Sequence, residues 1–324
     1  MKVYLSLADG KVFVGNRLTQ KDEACGMLSF NTSAFGFEEI ITNPANTGKI
    51  IMFTFPLVGV AGINYTDNQS NIISAEAVIC KENSNIYSNF RAKTSFAEYM
   101  GSNNKLYADG FDTRAIMLYL REHGEMPAVL SDKKYSGEEV SDKFANQNYN
   151  FKQVNYPINS NKKIKAKILD FGGSKTFYNF IDECGIYSTD EECDLIILSN
   201  ATFEEYNKED NIELIKKYKD KKIIAFGDSS VLLAKAYNYI YQSLSLGHHG
   251  VNIPVKNIKT EKDHITGQNH LYYIPEQENI KIIYINIHDN TTEAFISADN
   301  NIAGFNFKPS KETFINILNQ MGVK

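Results

Sequence analysis

The sequence contains no tryptophan and only four cysteines, and none of its apolar runs approaches the roughly 20 residues that a membrane-spanning helix needs. The cysteines are Cys25, Cys80, Cys184 and Cys193. Their spacing fits neither a metal site nor a disulfide framework, so we expect buried, reduced thiols and no bound metal. The N-terminal segment leads directly into a strand-and-turn pattern instead of a targeting signal. These absences predict a cytoplasmic protein without a membrane span.

An excess of basic charge is also lacking. The chain has 34 Lys and Arg residues against 39 Asp and Glu residues, which gives a formal net charge of -5. Such a chain offers no positive field for nucleic acid or for an anionic membrane, so we expect neither as a partner. Its hydrophobic residues (43%) and charged residues (23%) are in the usual proportions for a globular protein. At 324 residues, it is long enough for two domains with separate cores.

The pattern along the chain predicts two domains of the α/β class. Residues 1–147 alternate short strands with Gly and Asn turns. Residues 148–164 are rich in Asn and Lys, have little to bury, and are predicted to be a linker. Residues 165–324 alternate strands with helices, which predicts a central, mostly parallel sheet. Ligands of such sheets bind at the carboxyl ends of the strands.

Several elements of the first domain are visible as local patterns. Asp112 is a suitable N-cap for a helix over Thr113–His123, and Gly124 is suited to end it. The clearest strand candidates are Lys11–Val14, Ile50–Phe55 and Ile72–Val78.

In the second domain, short apolar runs of the parallel-sheet type predict the strands. A final helix, begun by Pro309 and Ser310, carries apolar residues at core spacing. The predicted strands are Ile168–Phe171, Leu195–Leu198, Ile223–Phe226, Ile282–Ile287 and Ala294–Ser297.

The segment Lys222–Tyr237 indicates a short strand, a tight glycine turn and a helix. In nucleophile-elbow enzymes, this kind of turn presents the attacking side chain to the substrate. Gly227 occupies the turn and has no side chain to attack with. Asp228, Ser229 and Ser230 follow it, and we interpret them first as N-capping residues and only second as an anion site.

The motifs of the first domain resemble those of the small subunit of carbamoyl phosphate synthetase. They occur in the family's order, which makes coincidence an insufficient explanation. The motifs are Leu7–Gly10, Val12–Gly15, Phe30–Ser33, Gly36–Pro44, Phe53–Pro56, Gly59, Gly62–Asn64, Ser88–Arg91, Asp112–Arg114, Leu120–Glu122 and Gly124.

The second domain resembles the class I glutamine amidotransferase half of the same subunit, so the resemblance covers essentially the whole chain. It implies a subunit that hydrolyses glutamine and passes ammonia to a large subunit, which makes carbamoyl phosphate from ATP and bicarbonate. It implies no cofactor on this chain. The matching motifs are Asp170–Gly172 with Lys175, Leu198–Asn200, Leu246–Gly250 with Asn252, Pro254–Val255, and Gln268–His270.

The catalytic positions depart from the family pattern. The positions of the family's nucleophilic Cys and its catalytic His and Glu are occupied by Gly227, Lys308 and Ser310. Of the family's glutamine contacts, Ser33 and Asn269 persist. Other family positions are also changed: the Gly-Pro-Gly loop has become Ala201–Phe203, two glutamine-contacting elbow residues have become Asp228 and Val231, and a Gly-Phe pair has become Leu271–Tyr272.

The resemblance therefore implies a small subunit without glutaminase activity, held to a large subunit that uses free ammonia. Two alternatives remain open at this stage. Ser229 with Lys308 as its base would form a rebuilt active site, although no carboxylate follows to orient the base. A metabolite-binding module that has lost its large subunit is the other alternative.

The neighbouring His248 and His249 do not predict a metal site. Adjacent residues rarely share a ligand sphere, and no third ligand has a suitable spacing along the chain. We expect the pair to lie in a structural or interface loop. His270 resembles a pocket-lining residue of the family, so a structural role is favoured over a general-base role.

Overall fold

The computed structural model describes residues 1–154, 163–189 and 191–323. The chain forms two compact units, Met1–Lys152 and Gln153–Lys324. Part of the predicted linker, residues 155–162, lies outside the described residues. Its linking role therefore stays a prediction.

The strands of the first unit are β1 (Lys2–Leu7), β2 (Val12–Arg17), β3 (Glu23–Asn31), β4 (Lys49–Phe53), β5 (Leu57–Val58), β6 (Ala77–Ile79), β7 (Glu82–Asn83), β8 (Leu106–Asp109) and β9 (Met126–Ser131). Seven of them close into a barrel in the order β1-β2-β8-β6-β4-β3-β9, and β5 pairs with β7 separately. The run β3-β4-β6-β8 is parallel. The strands predicted near residues 11–14 and 50–55 are present as β2 and β4.

Four α-helices accompany the barrel: α1 (Phe37–Thr42), α2 (Phe96–Ser102), α3 (Thr113–His123) and α4 (Gly137–Ala145). The prediction of α3 is confirmed, because the Asp112 side chain accepts a hydrogen bond from Ala115 N at 2.9 Å. Gly124 ends the helix at a φ of +81°, which glycine adopts without strain. Helices α1 and α2 bury Phe37, Ile41, Phe96 and Met100 against the barrel strands.

The strand predicted over Ile72–Val78 is wrong in its first half, since β6 begins only at Ala77. The preceding residues bond to the end of α1 instead of a neighbouring strand. Ser74 N and Ala75 N donate to Ile41 O, and Ser70 Oγ donates to Thr42 O at 2.8 Å. The backbone groups that a strand would need are thus used to hold α1.

The strands of the second unit are β10 (Ile164–Leu169), β11 (Ile186–Ser188), β12 (Leu195–Leu198), β13 (Lys222–Phe226), β14 (Gln242–Asn257), β15 (Asp263–Tyr273), β16 (Ile280–Asn286), β17 (Thr292–Ser297) and β18 (Ile302–Phe305). They form one nine-stranded sheet in the order β11-β10-β12-β13-β18-β17-β16-β14-β15. The first five strands in this order are mutually parallel, and the last four join antiparallel. All five predicted strands are present, whereas the long hairpin of β14 and β15 was not predicted.

The helices of this unit are α5 (Lys175–Glu183), α6 (Glu209–Lys216), α7 (Ser229–Tyr237) and α8 (Lys311–Gln320). They cover both faces of the sheet. Alternation along β13 shows the two layers: Ile224 and Phe226 pack with α5 and α8, while Ile223 and Ala225 pack with α6 and α7. This burial on both sides explains why the parallel strands are continuous apolar runs. None of the helices within the described residues has the length and apolarity needed to cross a bilayer.

All four cysteines are free thiols. Burial raises the pKa of Cys25, and it raises the pKa of Cys80 to about 12 and that of Cys184 to about 11. Cys193 is only partly buried. Because the thiolate is the reactive form, three of the four thiols are protected by the fold.

We expect iodoacetamide to modify Cys193 in the folded protein at least about tenfold faster than Cys80 or Cys184. The modified positions are identified by peptide mass spectrometry, and a sample unfolded in urea serves as the control in which all four thiols react. Equal rates for Cys80 and Cys193 in the folded protein would contradict this protection.

Candidate functional site

The glycine turn lies where β13 ends and α7 begins. Gly227 has a φ of +56°, a conformation that costs an L-residue about 1–2 kcal/mol. Its N–H donates to Phe305 O at 2.8 Å, which ties the turn to the end of the neighbouring strand β18. The residues from Phe226 to Ser230 are all buried. The chain therefore keeps the backbone of a nucleophile elbow without its side chain.

The side chain of Asn200 occupies the space that a side chain at position 227 would need. A Cβ atom on Gly227 would lie 2.6 Å from Asn200 Cγ and closer still to its Oδ1. Asn200 Oδ1 accepts a hydrogen bond from Asp228 N at 3.0 Å, and Asn200 Nδ2 donates to Asn269 O at 3.0 Å. In elbow enzymes, the N–H that follows the nucleophile stabilises the oxyanion. Asn200 thus fills the nucleophile position and also uses that N–H.

The interpretation of Asp228 as an N-cap is wrong. It stands at the N-cap position of α7, but its side chain makes no capping hydrogen bond to the helix. Instead, Asp228 Oδ1 accepts from Leu271 N at 2.9 Å and from Tyr272 N at 3.1 Å. Asp228, Leu271 and Tyr272 all differ from the family pattern, and these two hydrogen bonds join the elbow to β15.

Ser229 does not have the geometry of a nucleophile. It is fully buried at the first position of α7, and its hydroxyl donates to the backbone oxygen of Ser199. Lys308 lies just beyond β18, with its Nζ 5.6 Å from the centre of the Phe180 ring. Among the described residues, no hydrogen bond or ion pair joins Lys308 to Ser229. Ser310 caps α8, since its Oγ accepts from Thr313 N at 3.1 Å.

The loop Ala201–Phe203, where the family has Gly-Pro-Gly, is also closed. Ala201 and Thr202 are buried. Thr202 N donates to Phe171 O at 3.1 Å, and Thr202 Oγ1 accepts from Glu205 N at 3.3 Å. The backbone and side chain of Thr202 are therefore hydrogen-bonded within the fold.

The two expected glutamine contacts belong to different units. Ser33 is buried in the first unit, and its N–H donates to Asn31 Oδ1 at 2.9 Å. Asn269 lies on β15, with its Oδ1 2.7 Å from His249 Nδ1. Their assignment as remnants of a substrate site stays a prediction.

A second group of polar side chains lies on the antiparallel part of the sheet. His248 on β14 stands directly opposite His270 on β15, and Glu293 projects from β17. The ligand atoms of these three residues lie within 4.8 Å of one another. The sequence did not reveal this group, because strand register brings together residues that are 22 and 45 positions away from His248. His249, by contrast, points to Asn269 and is not part of the group.

Charge interactions hold the group together. His248 Nδ1 lies 3.0 Å from Glu293 Oε1, and His248 Nε2 lies 3.0 Å from Asp289 Oδ2. Burial disfavours the imidazolium form, but the hydrogen bonds to Asp289 and Glu293 outweigh it and raise the pKa of His248 to about 9. Burial likewise disfavours the Glu293 carboxylate, yet the electrostatic attraction of His270 and His248 and the hydrogen bond with His248 lower its pKa to about 2.

Comparison with known proteins identifies the architecture. The family profile for glutamine amidotransferase class-I matches residues 145–313, and the profile for the carbamoyl-phosphate synthase small chain, CPSase domain, matches residues 5–130. The second unit is therefore of the class I glutamine amidotransferase type, preceded by a small-chain domain. Both the fold class and the resemblance inferred from the sequence motifs are confirmed.

Curated relatives support the same assignment over nearly the full length. Each is called carbamoyl phosphate synthase small chain. The relative from Clostridium perfringens is 32% identical (95% of this chain, 94% of the relative), that from Caldanaerobacter subterraneus 31% (91% and 87%), and that from Aquifex aeolicus 31% (89% and 88%). The chain belongs to the carbamoyl phosphate synthase small chain family.

The crowding at Gly227 predicts a measurable loss of stability. We expect Gly227→Ala to lower the free energy of unfolding by the cost of the left-handed conformation, about 1–2 kcal/mol, plus at least about 1 kcal/mol for overlap with Asn200. Gly185→Ala is the matched control. Gly185 has a φ of +78°, but a Cβ there meets no atom within 4 Å. Urea unfolding of both variants measures the difference.

The extra loss should depend on Asn200. In an Asn200→Ala background, Gly227→Ala should cost no more than Gly185→Ala costs in the wild-type chain. Equal losses for Gly227→Ala and Gly185→Ala in the wild-type chain would show that Asn200 does not crowd the turn.

Proposed function

We propose that this chain is the small subunit of a carbamoyl phosphate synthetase and has no glutaminase activity of its own. It supports the formation of carbamoyl phosphate from ATP, bicarbonate and free ammonia by a large subunit, for pyrimidine and arginine synthesis. The two subunits form a cytoplasmic heterodimer. The observation that carries this proposal is the turn at Gly227, which keeps the backbone of a nucleophile elbow but has no side chain to attack with.

Glutamine hydrolysis by amidotransferases of this class has three separate requirements. The enzyme needs a nucleophile, a base to accept its proton, and donors for the oxyanion. Removing a nucleophile or base from a triad typically lowers kcat about 10⁶-fold, and removing one oxyanion donor lowers it about 10²–10³-fold. Positions 227, 308 and 310 lack the reactive groups, and the Asp228 N–H is already bonded.

A rebuilt site using Ser229 and Lys308 finds no support in the geometry. A serine nucleophile must give its proton to a base, but Ser229 Oγ donates to Ser199 O in the interior. The Lys308 ammonium faces the ring of Phe180, on α5. No base therefore faces the Ser229 hydroxyl in this arrangement of the described residues.

The first unit, in contrast, keeps an open surface. A pocket of about 900 Å³ lies on this unit, and Phe90 (96% exposed) and Phe35 (68% exposed) line it. Soluble proteins seldom expose large aromatic side chains together unless they bind a partner. The lining also includes residues from five of the motifs that carry the family resemblance: Gly36, Glu38, Glu39, Phe55, Pro56, Gly59, Gly62, Asn64, Ser88 and Asn89.

We assign this aromatic pocket to docking of the large subunit. Retention of its motifs, combined with replacement of the catalytic positions, fits a chain that is kept for its partner and not for its chemistry. A metabolite-binding module without a large subunit would leave the exposed Phe35 and Phe90 without a role.

The choice of nitrogen donor tests the proposed function. With the cognate large subunit, we expect carbamoyl phosphate to form from ammonium and not from glutamine, because no group can attack the amide. The measurement compares product formation with each donor at equal concentration. Ser229→Ala should leave the ammonium-dependent rate unchanged. Glutamine-dependent product that Ser229→Ala abolishes would overturn the proposal.

Binding of the large subunit tests the role of the pocket. We expect Phe90→Ser combined with Phe35→Ser to weaken the complex at least about tenfold in Kd, since buried aromatic residues dominate such interfaces. Leu118→Ser is the control, because Leu118 is 53% exposed on α3 but does not line the pocket. An unchanged Kd for the double variant would place the interface elsewhere on the small subunit.

A further inference from the structure

We propose that His248, His270 and Glu293 form a site for a divalent transition metal ion, with Zn²⁺ as the best match. Two imidazole nitrogens and one carboxylate are a common ligand set for Zn²⁺ in proteins. The three residues come from different strands and converge within 4.8 Å. His270 and Glu293 are fully buried, and the His248 side chain is only 13% exposed.

The carboxylate of Glu293 indicates a missing partner. Its Oε1 accepts from Asn286 Nδ2 at 2.8 Å, whereas its Oε2 is buried and accepts no hydrogen bond from the described residues. His270 Nε2 lies 3.3 Å from Oε2. A separation of about 3.3 Å is what two ligands at 2.0–2.1 Å from a tetrahedral Zn²⁺ would have. A metal ion between these atoms would satisfy the carboxylate without a new hydrogen bond.

In each candidate histidine ligand, the ring nitrogen that does not face the metal contacts a further polar group. His248 Nε2 faces Asp289 Oδ2 at 3.0 Å, which leaves Nδ1 for the metal. His270 Nδ1 faces Tyr272 O at 2.9 Å, which leaves Nε2 for the metal. A carboxylate or carbonyl behind the second nitrogen is the usual support for a metal-binding histidine. The same support fixes the ring orientations and makes each free nitrogen a better ligand.

A fourth ligand is available from Gln268. Thr266 Oγ1 donates to Ile253 O at 2.9 Å, so it accepts from Gln268 Nε2 at 3.0 Å. This hydrogen bond fixes the amide so that Gln268 Oε1 faces the group, 3.1 Å from His270 Nε2. Three side-chain ligands and one amide oxygen give a closed coordination shell, which is typical of a structural rather than a catalytic metal.

The ion would join parts of the sheet that are not hydrogen-bonded neighbours. β14 and β15 pair directly, but β16 separates both of them from β17. On binding, the metal takes the place of the protons on His248 Nδ1 and His270 Nε2, and both protons pass to solvent. The site would thereby fasten the long β14–β15 hairpin to the parallel part of the sheet. This inference does not depend on the proposed function.

The test is direct binding of Zn²⁺ to the full-length chain after treatment with a chelator. We expect calorimetry to show one saturable site per chain, and Zn²⁺ to raise the midpoint of thermal unfolding. Co²⁺ in the same site should give the visible absorption of a tetrahedral complex. Glu293→Gln and His248→Asn should weaken binding at least about tenfold, and Asp289→Asn should weaken it about 10–100-fold.

His264→Asn is the matched control, because His264 is an exposed histidine on β15 that lies outside the group. It should bind Zn²⁺ as tightly as the wild type. If Glu293→Gln fails to fold, Zn²⁺ binding by the His248→Asn variant tests the site instead, since His248 is the ligand nearest the surface. Absence of saturable binding by the wild type, or equal binding by the His248→Asn and His264→Asn variants, would overturn the metal site and leave an ion-pair network.

Discussion

The hydrogen bond from Asp228 N to Asn200 Oδ1 is the contact on which the rest of the elbow region depends. With the bond from Asn200 Nδ2 to Asn269 O, it lets one amide side chain connect the ends of β12 and β13 to the middle of β15. Both backbone groups are thereby satisfied in a buried setting, where an unpaired group costs about 1–3 kcal/mol. Asp228 strengthens the same junction through Leu271 N and Tyr272 N. The elbow region is thus held by a set of internal contacts.

Much of the fold could be predicted, because its signals are local. Helix α3 is specified by a cap and a stop within a dozen residues, and the parallel strands of the second unit by apolar runs that are buried on both faces. The elements that were predicted wrongly or missed depend on their surroundings in the folded chain. The segment before β6 has strand-like composition, but its N–H groups bond to α1, more than 30 residues away in sequence. The hairpin of β14 and β15 has mixed polarity, because much of it is exposed to solvent.

The candidate site likewise has one part that the sequence predicts and other parts that only the structure shows. Gly227 was visible in the sequence, because a missing side chain at a turn is a property of one position. Its contact with Asn200 was not visible, because Asn200 reaches the turn from the end of another strand and only coordinates show that its amide lies where a Cβ would be. The group of His248, His270 and Glu293 depends on register across β14, β15 and β17. Register is a long-range property that spacing along the chain does not reveal.

The left-handed turn at Gly227 has a consequence for substitution at this position. A residue with a side chain carries backbone strain in this conformation, whereas glycine adopts it freely. A side chain at 227 also overlaps Asn200, and a smaller residue at 200 leaves buried backbone groups unpaired. The two positions therefore form a coupled pair, in which a change at either one alone costs stability.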